Sequence, residues 1–497
     1  MKKLFLFLTA ICCCFLQTFS QEGDSTFFSS QIHKIDINFS QIGYWDSLVA
    51  NKPLDKMMVG QVVINGVTYD SCGVQFKGNS SYNAPGNKKP FKIDFNEYLS
   101  GQNFDGLKTI NLNNCMKDPT LMREKIMLDF CRENQIPAPR STYAKLYLNG
   151  QYWGLYSLVE QMDKTALDRL FNENEGNLFK GDPNGTLQWY GTADSSYQSK
   201  YELKTNKTAN DFSDLIHLID VLNNTPSASF YDSLEKVLET ESVIKAWAAD
   251  IIFSNLDSYR GSGHNYYIYH DTIIDKFRWI IWDVNEVFGN FNMGMTVQQL
   301  ESLSLFYIPN PVNSRPLTNK MNQNSTYKSE YINTVCDMLS NSFTSQKLNA
   351  KIDSLYNKIK PDVYADTKKP YTNQNFEDNI NMTVMNNIPG LKSFITNRRS
   401  SLISQLAANG CFVGEEELAE SSRSLQVYPN PNSGKFNLKI SGFENLKMEK
   451  LKIYNVLGEE VYSKQLTTSN EQLSTNLPSG IYFLKIGDAV SKFSIVD

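Results

Sequence analysis

Two acidic residues directly follow a strongly apolar stretch near the middle of the chain. In "FRWIIWDVNEVFG" (277–289), Asp283 and Glu286 come after the run "FRWIIW". A carboxylate at the end of a buried strand is costly unless it is ion-paired or bound to a metal. Carboxylate oxygens are also the ligands that Mg²⁺ and Mn²⁺ prefer. The pattern therefore predicts a strand that delivers a metal-binding Asp283, and an ion-paired or capping Asp283 is the alternative.

A second set of polar side chains lies just upstream. The stretch "SNLDSYRGSGHN" (254–265) contains Asn255, Asp257 and Asn265 within a Gly-rich turn. Asp and Asn side chains bond to nearby backbone groups in turns, so a purely turn-forming role is the simplest interpretation. Because Asp283 follows soon after, the same residues are also candidates for one shared polar site.

Cations and small residues that suit a phosphate occur earlier. Lys77 opens "KGNSS", a turn whose backbone N–H groups and Ser80 hydroxyl are suited to a phosphate. Lys89 follows shortly after, and Lys92 lies inside the alternating run "FKIDF", opposite its apolar face. A plain Gly/Ser turn and a solvated strand face are the respective alternatives.

Strands are expected to hold most of these residues. Residues 30–100 are rich in short β-type runs, with Asn65 and Gly66 marking a hairpin turn. The segment 143–160, "YAKLYLNGQYWGLYSLVE", predicts another hairpin around an Asn-Gly pair. The stretch 265–289 predicts a third hairpin, which ends at Asp283.

Helices are expected between and after these strands. Apolar spacing predicts a helix over 118–134, with Asp118 as its N-cap and Pro119 in its first turn. Residues 208–257 and 320–408 also carry helical apolar spacing. The acidic, Ser-rich stretch "GEEELAESSRS" that follows has the composition of a linker. The short strands and regular turns beyond it predict a small β-sandwich.

The first twenty residues indicate the compartment. "MKK" is basic, "LFLFLTAICCCFL" is a short apolar run, and "TFS" before Gln21 resembles a cleavage site. This pattern predicts a secretory signal peptide, because the apolar run is too short to span a membrane. A lipid-anchored Cys12 is the alternative. No later stretch reaches the roughly 20 apolar residues of a membrane span.

Composition limits the remaining function classes. The chain has 497 residues, 41% hydrophobic residues and a net charge of -5, which fits a globular protein of two or more domains without a basic nucleic-acid surface. No HExxH zinc motif and no GxSxG hydrolase motif occurs. Five widely spaced cysteines follow the leader, compatible with one or two disulfides or with small buried residues: Cys72, Cys115, Cys131, Cys336 and Cys411.

The last part of the chain resembles a known export domain. "YPNP" at 428–431, "GKFNL", "IYNVLGEEV" and "LPSGIYFLKI" resemble the type A sorting domain of the type IX secretion system of Bacteroidetes-type bacteria. The resemblance covers nearly all of 425–497. It implies export across the outer membrane, with the type IX machinery as the partner, to a secreted or cell-surface location after passage through the Sec system. A carbohydrate-binding or adhesive module is the alternative.

The preceding part resembles the CotH family, named for a spore-coat protein kinase. "VQFKGNSS", "KKPFKIDF", "DPTLMREKI", "LYLNGQYWGLYSLVEQMD", "NLDSYRGSGHNYYIY" and "FRWIIWDVNEVFG" match its motifs in order over roughly residues 30–400. The resemblance implies an α+β, atypical protein-kinase-like fold that binds ATP and Mg²⁺ or Mn²⁺. The predicted organisation is a signal peptide at 1–20, a kinase-like domain at 21–410, a linker at 411–424 and the sorting domain at 425–497.

The resemblance assigns roles to the phosphate-binding candidates. Lys77, Ser80, Lys89 and Lys92 would contact the nucleotide, and Glu160 would pair with Lys92 as a helix Glu pairs with a strand Lys in kinases.

The acidic candidates receive the remaining kinase roles. Asp257 would act on the acceptor hydroxyl, while Asp283, Asn265 and Asn285 would hold the metal. Asn285 stands where the family commonly has a second acid, and Lys77 stands where it usually has Arg.

The resulting prediction is an exported kinase that transfers phosphate from ATP to Ser or Thr of proteins outside the cytoplasm. The alternative is a cell-surface binding or structural protein that uses the same fold without catalysis. No nucleic-acid partner and no transmembrane segment are expected.

Overall fold

The computed structural model describes residues 21–413, 424–441, 450–466, 468, 470–486 and 489–496. The predicted signal peptide and most of the predicted linker lie outside the described residues. The chain divides into two compact units, Met1–Gly414 and Glu415–Asp497, and the division falls within the predicted linker. No helix among the described residues is long and apolar enough to cross a membrane.

A closed seven-stranded barrel forms the first part of the N-terminal unit. Its strands are β1 (His33–Asn38), β2 (Met58–Ile64), β3 (Val67–Phe76), β4 (Phe91–Asp94), β5 (Thr109–Asn113), β6 (Ser141–Leu148) and β7 (Gln151–Glu160). They pair in the order β1-β2-β3-β4-β5-β7-β6, and parallel pairing of β1 with β6 closes the barrel. Buried side chains such as Ile35, Val74, Phe91 and Leu112 fill its interior.

Two of the predicted hairpins belong to this barrel. Asn65 and Gly66 join β2 to β3, and Asn149 and Gly150 join β6 to β7. All four residues have positive φ values, of 51°, 89°, 47° and 76° respectively. Asn and Gly tolerate this conformation, which matches the twist of a two-residue hairpin turn. Both hairpin predictions are confirmed.

Five helices accompany the barrel in sequence: α1 (Asp24–Phe27), α2 (Tyr44–Asn51), α3 (Ser80–Asn83), α4 (Arg123–Glu133) and α5 (Lys164–Phe171). The predicted helix over 118–134 is α4, which begins five residues later than expected. Asp118 is not its N-cap, because Lys117 and Leu121 adopt left-handed conformations that interrupt a helix before Arg123.

The side chain of Asp118 stabilises the turn before α4 instead. It accepts hydrogen bonds from the Thr120 hydroxyl at 2.6 Å and from Nη1 of the buried Arg123 at 2.6 Å. Nη2 of Arg123 also donates to Oδ1 of Asn379 and to the carbonyl of Pro389. A buried guanidinium needs such complete pairing. The start of α4 is therefore fixed to the C-terminal helices of the same unit.

A second sheet and nine more helices complete the N-terminal unit within its described residues. The sheet has the order β11-β10-β8-β9 and contains β8 (Leu178–Lys180), β9 (Glu202–Leu203), β10 (Tyr266–Asp271) and β11 (Lys276–Ile281). The helices are α6 (Ser213–Asn224), α7 (Phe230–Val237), α8 (Thr240–Ile252), α9 (Val297–Glu301), α10 (Pro316–Gln323), α11 (Ser325–Asn341), α12 (Ser345–Ala365), α13 (Asn373–Asp378) and α14 (Leu391–Ala407).

One disulfide closes the helical part. Cys336 in α11 is bonded to Cys411, which lies just beyond α14. The other three cysteines after the leader, Cys72, Cys115 and Cys131, are buried and free. Both interpretations of the cysteines therefore hold, each for a different subset.

The C-terminal unit contains two small antiparallel sheets. One has the order β12-β13-β16 and the other β15-β14-β17-β18. The strands are β12 (Ser424–Tyr428), β13 (Lys435–Ser441), β14 (Lys450–Tyr454), β15 (Glu460–Gln465), β16 (Asn470–Ser474), β17 (Gly480–Ile486) and β18 (Ala489–Ile495). Buried residues of both sheets, including Phe436, Leu451 and Leu484, share one apolar cluster. The chain is thus a mixed α/β protein with a β-rich C-terminal unit.

Candidate functional site

A cleft of about 130 Å³ brings several of the predicted residues together. Its wall is built from the turn after β3, the end of β5, the helix α4 and the segment after β11. The polar lining residues are Lys77, Ser81, Asn113, Asn114, Glu124, Lys180, Asp283 and Asn285. The volume is below the roughly 300–1,000 Å³ of a site that encloses a drug-sized ligand, so the cleft suits a phosphate group rather than a whole nucleotide.

Lys77 and Glu124 are connected through one amide side chain. Nζ of Lys77 donates to Oδ1 of Asn113 at 3.0 Å, and Nδ2 of Asn113 donates to Oε1 of Glu124 at 2.8 Å. Nζ of Lys77 also lies 5.6 Å from the ring centroid of Trp282. A lysine at a strand end is thereby held beside a helix carboxylate, as in the phosphate-binding part of kinases.

The environment shifts both ionisable groups toward their neutral forms. Burial lowers the pKa of Lys77, while the charges of Asp283 and Glu124 oppose that shift. Burial also raises the pKa of Glu124, and the charge of Asp283 adds to the increase. Desolvated charges interact strongly, so an anion entering the cleft would meet a poorly screened ammonium group.

Asp283 occupies the mouth of this cleft. β11 ends at Ile281, the following Trp282 is buried, and Asp283 adopts a left-handed conformation with φ 54°. The residue is exposed, so the expectation that its carboxylate is desolvated at the strand end is wrong. The turn after Trp282 releases the side chain from the buried sheet, and its carboxylate is accessible to a ligand in the cleft.

Asp257 lies near Asp283 and is held by its own loop. Its Oδ1 accepts from the hydroxyl of Ser262 and lies 3.2 Å from Nε2 of His264. Nδ2 of Asn265 donates to the backbone carbonyl of Asp257 at 3.1 Å. Burial raises the pKa of Asp257, His264 opposes the shift, and the charge of Asp283 adds to it. A carboxylate with a raised pKa is suited to accepting a proton near neutral pH.

Buried polar contacts fix the loop that carries Asp257. Nη1 of Arg260 donates to the Tyr331 hydroxyl, and Nη2 donates to the carbonyls of Leu305 and Tyr307. The neighbouring Asn255 is also buried, and its Nδ2 donates to Oδ1 of Asp250 at 2.7 Å. Asn255 therefore supports the loop from within.

The two residues that follow Asp283 have different environments. Nδ2 of Asn285 points to the carbonyl of Met116, 3.5 Å away, and the residue lines the cleft. Glu286 is buried, and its carboxylate forms an ion pair with Lys117 at 2.9 Å. Glu286 therefore neutralises a lysine and does not replace the acid that the family pattern has at 285.

The predicted pairing of Lys92 with Glu160 is not formed. Glu160 is buried and bonded to Arg140 at 2.6 Å and to Arg169 at 2.7 Å. Lys92 projects from the outer face of β4 and lines a separate groove with the segment after β7. The carboxylate of Glu160, which was predicted to pair with Lys92, is therefore paired with two arginines.

The other two phosphate-binding candidates lie around α3. Ser80 is the exposed first residue of that short helix. Nζ of Lys89 donates to the carbonyls of Tyr82 and Ala84 at 2.7 and 2.6 Å. These contacts use the ammonium group of Lys89 to hold the turn, and neither residue is part of the wall of the cleft.

The sequence analysis missed four polar residues of the cleft, Asn113, Asn114, Glu124 and Lys180, and included Ser81 only as part of a turn. Glu124 stands within "DPTLMREKI", at the first turn of a helix that the apolar spacing did predict. Lys180 lies at the end of β8 and is ion-paired with Asp182 at 2.6 Å. Both Glu124 and Lys180 are charged residues at the end of a helix or strand, and this position is the signal by which they could have been selected.

The donor set fits a hard divalent cation. Asp283 supplies a carboxylate and Asn285 an amide group in the wall of the cleft, and Asn265 is bonded to the backbone of Asp257, on which the charge of Asp283 acts. No group of three or more His, Cys, Asp or Glu side chains suited to a metal occurs within the described residues. Mg²⁺ is ordinarily held by one or two carboxylates together with phosphates and water, so these few ligands agree with its requirements.

Comparison with known families adds two findings. The sequence profile described as "CotH kinase protein" matches residues 74–402, and the profile described as "Secretion system C-terminal sorting domain" matches residues 426–495. Both predicted resemblances are therefore confirmed, in the predicted order.

Two curated proteins are similar in sequence to this chain. The chain is 27% identical over 294 residues to inner spore coat protein H of Bacillus subtilis (strain 168), covering 58% of this chain and 76% of that protein. It is 22% identical over 337 residues to invasin CotH2 of Rhizopus delemar, covering 64% of this chain and 54% of the invasin.

Similarity to solved structures is weaker. A Shewanella oneidensis MR-1 complex of HipA, HipB and operator DNA contains a chain that aligns with a TM-score of 0.32 and 10% identity, covering 69% of each chain. The Helicobacter pylori proinflammatory kinase CtkA aligns with a TM-score of 0.24 and 9% identity, covering 71% of this chain and 95% of the kinase. Both scores are low, and neither assigns a fold to this chain.

Proposed function

This chain belongs to the CotH kinase protein family and ends in a type IX sorting domain, and we propose that it is an exported kinase that transfers phosphate from ATP to Ser or Thr hydroxyls of proteins outside the cytoplasm. The observation that carries the proposal is the convergence of Lys77, Glu124 and Asp283 on one cleft, with Asp257 beside it. Phosphoryl transfer requires few protein groups beyond a cation, a metal-binding carboxylate and an acid that orients the acceptor.

Lys77 is assigned to the phosphates of ATP. Its ammonium group is held by Asn113, and Asn113 is held in turn by Glu124 on α4. The hydrogen-bonded chain positions the cation before a ligand arrives, which lowers the cost of ordering it on binding. Lys180 lines the same cleft and provides a second cation for the phosphates.

Asp283 is assigned to the divalent cation, together with Asn265 or Asn285. When bound, Mg²⁺ or Mn²⁺ would neutralise charge on the phosphates. The exposed position of Asp283 leaves its carboxylate free for this purpose. Asp257 is assigned to the acceptor hydroxyl, whose proton its carboxylate oxygen accepts, and His264 at 3.2 Å orients that oxygen.

Activity of the purified full-length protein tests this assignment. With radiolabelled ATP and Mg²⁺ or Mn²⁺, we expect label to be transferred to Ser or Thr of a generic acceptor such as dephosphorylated casein, or to the protein itself. Mass spectrometry would locate the modified residues. Absence of transfer with both metals, combined with absence of an ATP-dependent shift in melting temperature, would refute the proposal.

One observation favours the alternative of a binding protein without catalysis. Asn285 contributes no charge at the position where the family pattern has an acid, and Glu286 is already paired with Lys117. A catalytically inactive protein would show no metal-dependent transfer. If it also failed to bind ATP, the cleft would not be a nucleotide-binding site.

Export is expected to depend on the C-terminal unit. Deleting residues 425–497 removes the sorting domain, while the N-terminal unit retains its own core and disulfide. The truncated protein should accumulate in the periplasm of a host with a type IX system, and the full chain should reach the medium or the cell surface. Fractionation and immunoblotting provide the measurement, and surface delivery of the truncated chain would contradict this role.

A further inference from the structure

A lysine-rich groove lies beside the cleft, where the barrel meets the second sheet. Its volume is about 460 Å³, within the range of ligand-binding sites. The outer face of β4 and the start of β5 form one side, and the segment from Gln161 to Thr165 and the residues after β9 form the others. The lysines that line it are Lys92, Lys108, Lys164, Lys204 and Lys207.

The lysines differ in whether they form an ion pair within the described part of the chain. Lys164 is paired with Glu175 at 3.0 Å, and Lys204 is paired with Glu202 at 2.7 Å. Lys92, Lys108 and Lys207 form no ion pair with any residue that the structure describes.

One acidic residue, Asp163, lines the groove: burial raises its pKa, and the charge of the nearby Lys108 opposes that shift. Asp163, the only acidic residue of the lining, accepts hydrogen bonds from the backbone N–H groups of Thr165 and Ala166 as the N-cap of α5. Asp94, on the same face of β4 as Lys92, accepts from the Thr109 hydroxyl at 3.0 Å. The groove therefore keeps an excess of positive charge.

Two lysines of the groove, Lys204 and Lys207, are close enough to act on each other. Burial lowers the pKa of Lys204, Glu202 opposes this shift, and Lys207 and Lys180 add to it. Like charges at this proximity repel, and a bound anion would relieve the repulsion. A cluster of unpaired cations in a concave site is therefore suited to a ligand with several negative groups.

The size of the groove limits the length of that ligand. The net charge of the chain is -5, so the positive charge of the groove is a local feature. A groove of about 460 Å³ holds a short segment, whose acidic side chains would contact the lysines. Side-chain carboxylates along a peptide match lysines that come from separate elements.

We propose that this groove binds a short acidic peptide segment, in which neighbouring Asp or Glu side chains contact Lys92, Lys108 and Lys207. The binding needs neither nucleotide nor phosphoryl transfer, so it goes beyond the proposed activity. Lys92 in β4 pairs with Gln75 in β3, two residues before Lys77, so the groove and the cleft are adjacent. A protein docked by an acidic segment would therefore be held next to the cleft.

Fluorescence anisotropy of a labelled Glu peptide of about eight residues, added to the full-length protein without ATP, tests this proposal. The matched Gln peptide should not bind. Exposed ion pairs contribute roughly 0.2–1 kcal/mol each, so the triple variant K92Q/K108Q/K207Q should bind the Glu peptide about tenfold more weakly. The variant K92R/K108R/K207R keeps the charges and should retain most of the affinity.

A matched control removes the same charge elsewhere. Lys56, Lys236 and Lys439 are exposed and lie outside the groove. The variant K56Q/K236Q/K439Q should bind the Glu peptide as the wild type does. Equal weakening in this control would show a non-specific charge effect and overturn the proposal, and so would an unchanged affinity of the groove variant.

Two further outcomes would also overturn it. If ATP competes with the peptide for binding, the groove is part of the nucleotide site. Preference for a long sulfated polysaccharide over the Glu peptide at equal charge would identify a different class of ligand. Because the measurement uses no ATP, a protein without kinase activity would still be expected to bind the peptide.

Discussion

The variant Asp283→Asn is expected to lose metal-dependent phosphoryl transfer by on the order of 10³-fold, with little change in melting temperature. Asp283 is the exposed carboxylate of the cleft, and its left-handed backbone conformation at φ 54° is one that Asn also tolerates. The substitution therefore removes a negative charge from the proposed metal site without a new steric conflict. Initial rates with Mg²⁺ and with Mn²⁺, measured beside a thermal melt, provide the comparison.

A matched control lies at the other end of the same hairpin. Asp275 is an exposed residue of the turn between β10 and β11, outside the cleft, and its φ is also positive at 52°. Asp275→Asn makes the same chemical change in the same backbone region and should leave the rate within a few-fold of wild type. Retained transfer in Asp283→Asn would remove Asp283 from the metal site and would favour the non-catalytic alternative.

Local features of the fold are the part that sequence patterns predict well. The Asn-Gly turns and the hairpin of β10 and β11 depend on residues that are neighbours in sequence, so their chemistry can be read directly. The helix α4 was expected, but its start was misplaced. Asp118 has the residue type of an N-cap, and only the ion pair with Arg123 shows that its carboxylate stabilises the preceding turn.

The sequence did not predict which lysine interacts with which acid. The lysine that the structure connects to a helix carboxylate is Lys77, joined to Glu124 through Asn113, whereas the predicted pair of Lys92 and Glu160 is not formed. Both lysines lie in or beside neighbouring barrel strands, and both acids lie near helix starts. Glu160 is paired with Arg140 and Arg169, which are 20 and 9 residues away, and this pairing depends on tertiary packing that the sequence does not reveal.

The exposure of Asp283 was misjudged for a related reason. An apolar run of six residues before an acid suggests that the acid shares the buried environment of the run. In the structure β11 ends at Ile281, and one further residue, Trp282, completes the buried part. The change of backbone conformation at Asp283 then turns its side chain toward the cleft, and hydrophobicity along the chain does not record such a turn.

The variant Lys77→Met is expected to weaken ATP binding by about 10- to 100-fold, because a hydrogen bond from a charged donor contributes roughly 1.5–3 kcal/mol. Met preserves much of the side-chain volume and removes the ammonium group. Lys92→Met is the matched control, since Lys92 is also a barrel lysine but lines the neighbouring groove rather than the cleft. Isothermal titration with ATP and Mg²⁺ should show a lower ATP affinity for Lys77→Met than for Lys92→Met. An equal loss of ATP affinity in Lys92→Met would show that Lys92 also contacts the nucleotide.

The pH dependence of the wild type gives an independent check on Lys77. Burial lowers the pKa of this lysine, so in the folded protein it loses its proton at a lower pH than an exposed lysine does. ATP affinity should therefore fall as the pH rises through that lowered pKa, before ordinary lysines deprotonate. In Lys77→Met this alkaline decrease should be absent, because the titrating group is gone. An alkaline decrease of the same size in Lys77→Met would assign it to another group and would leave Lys77 without the proposed contact to phosphate.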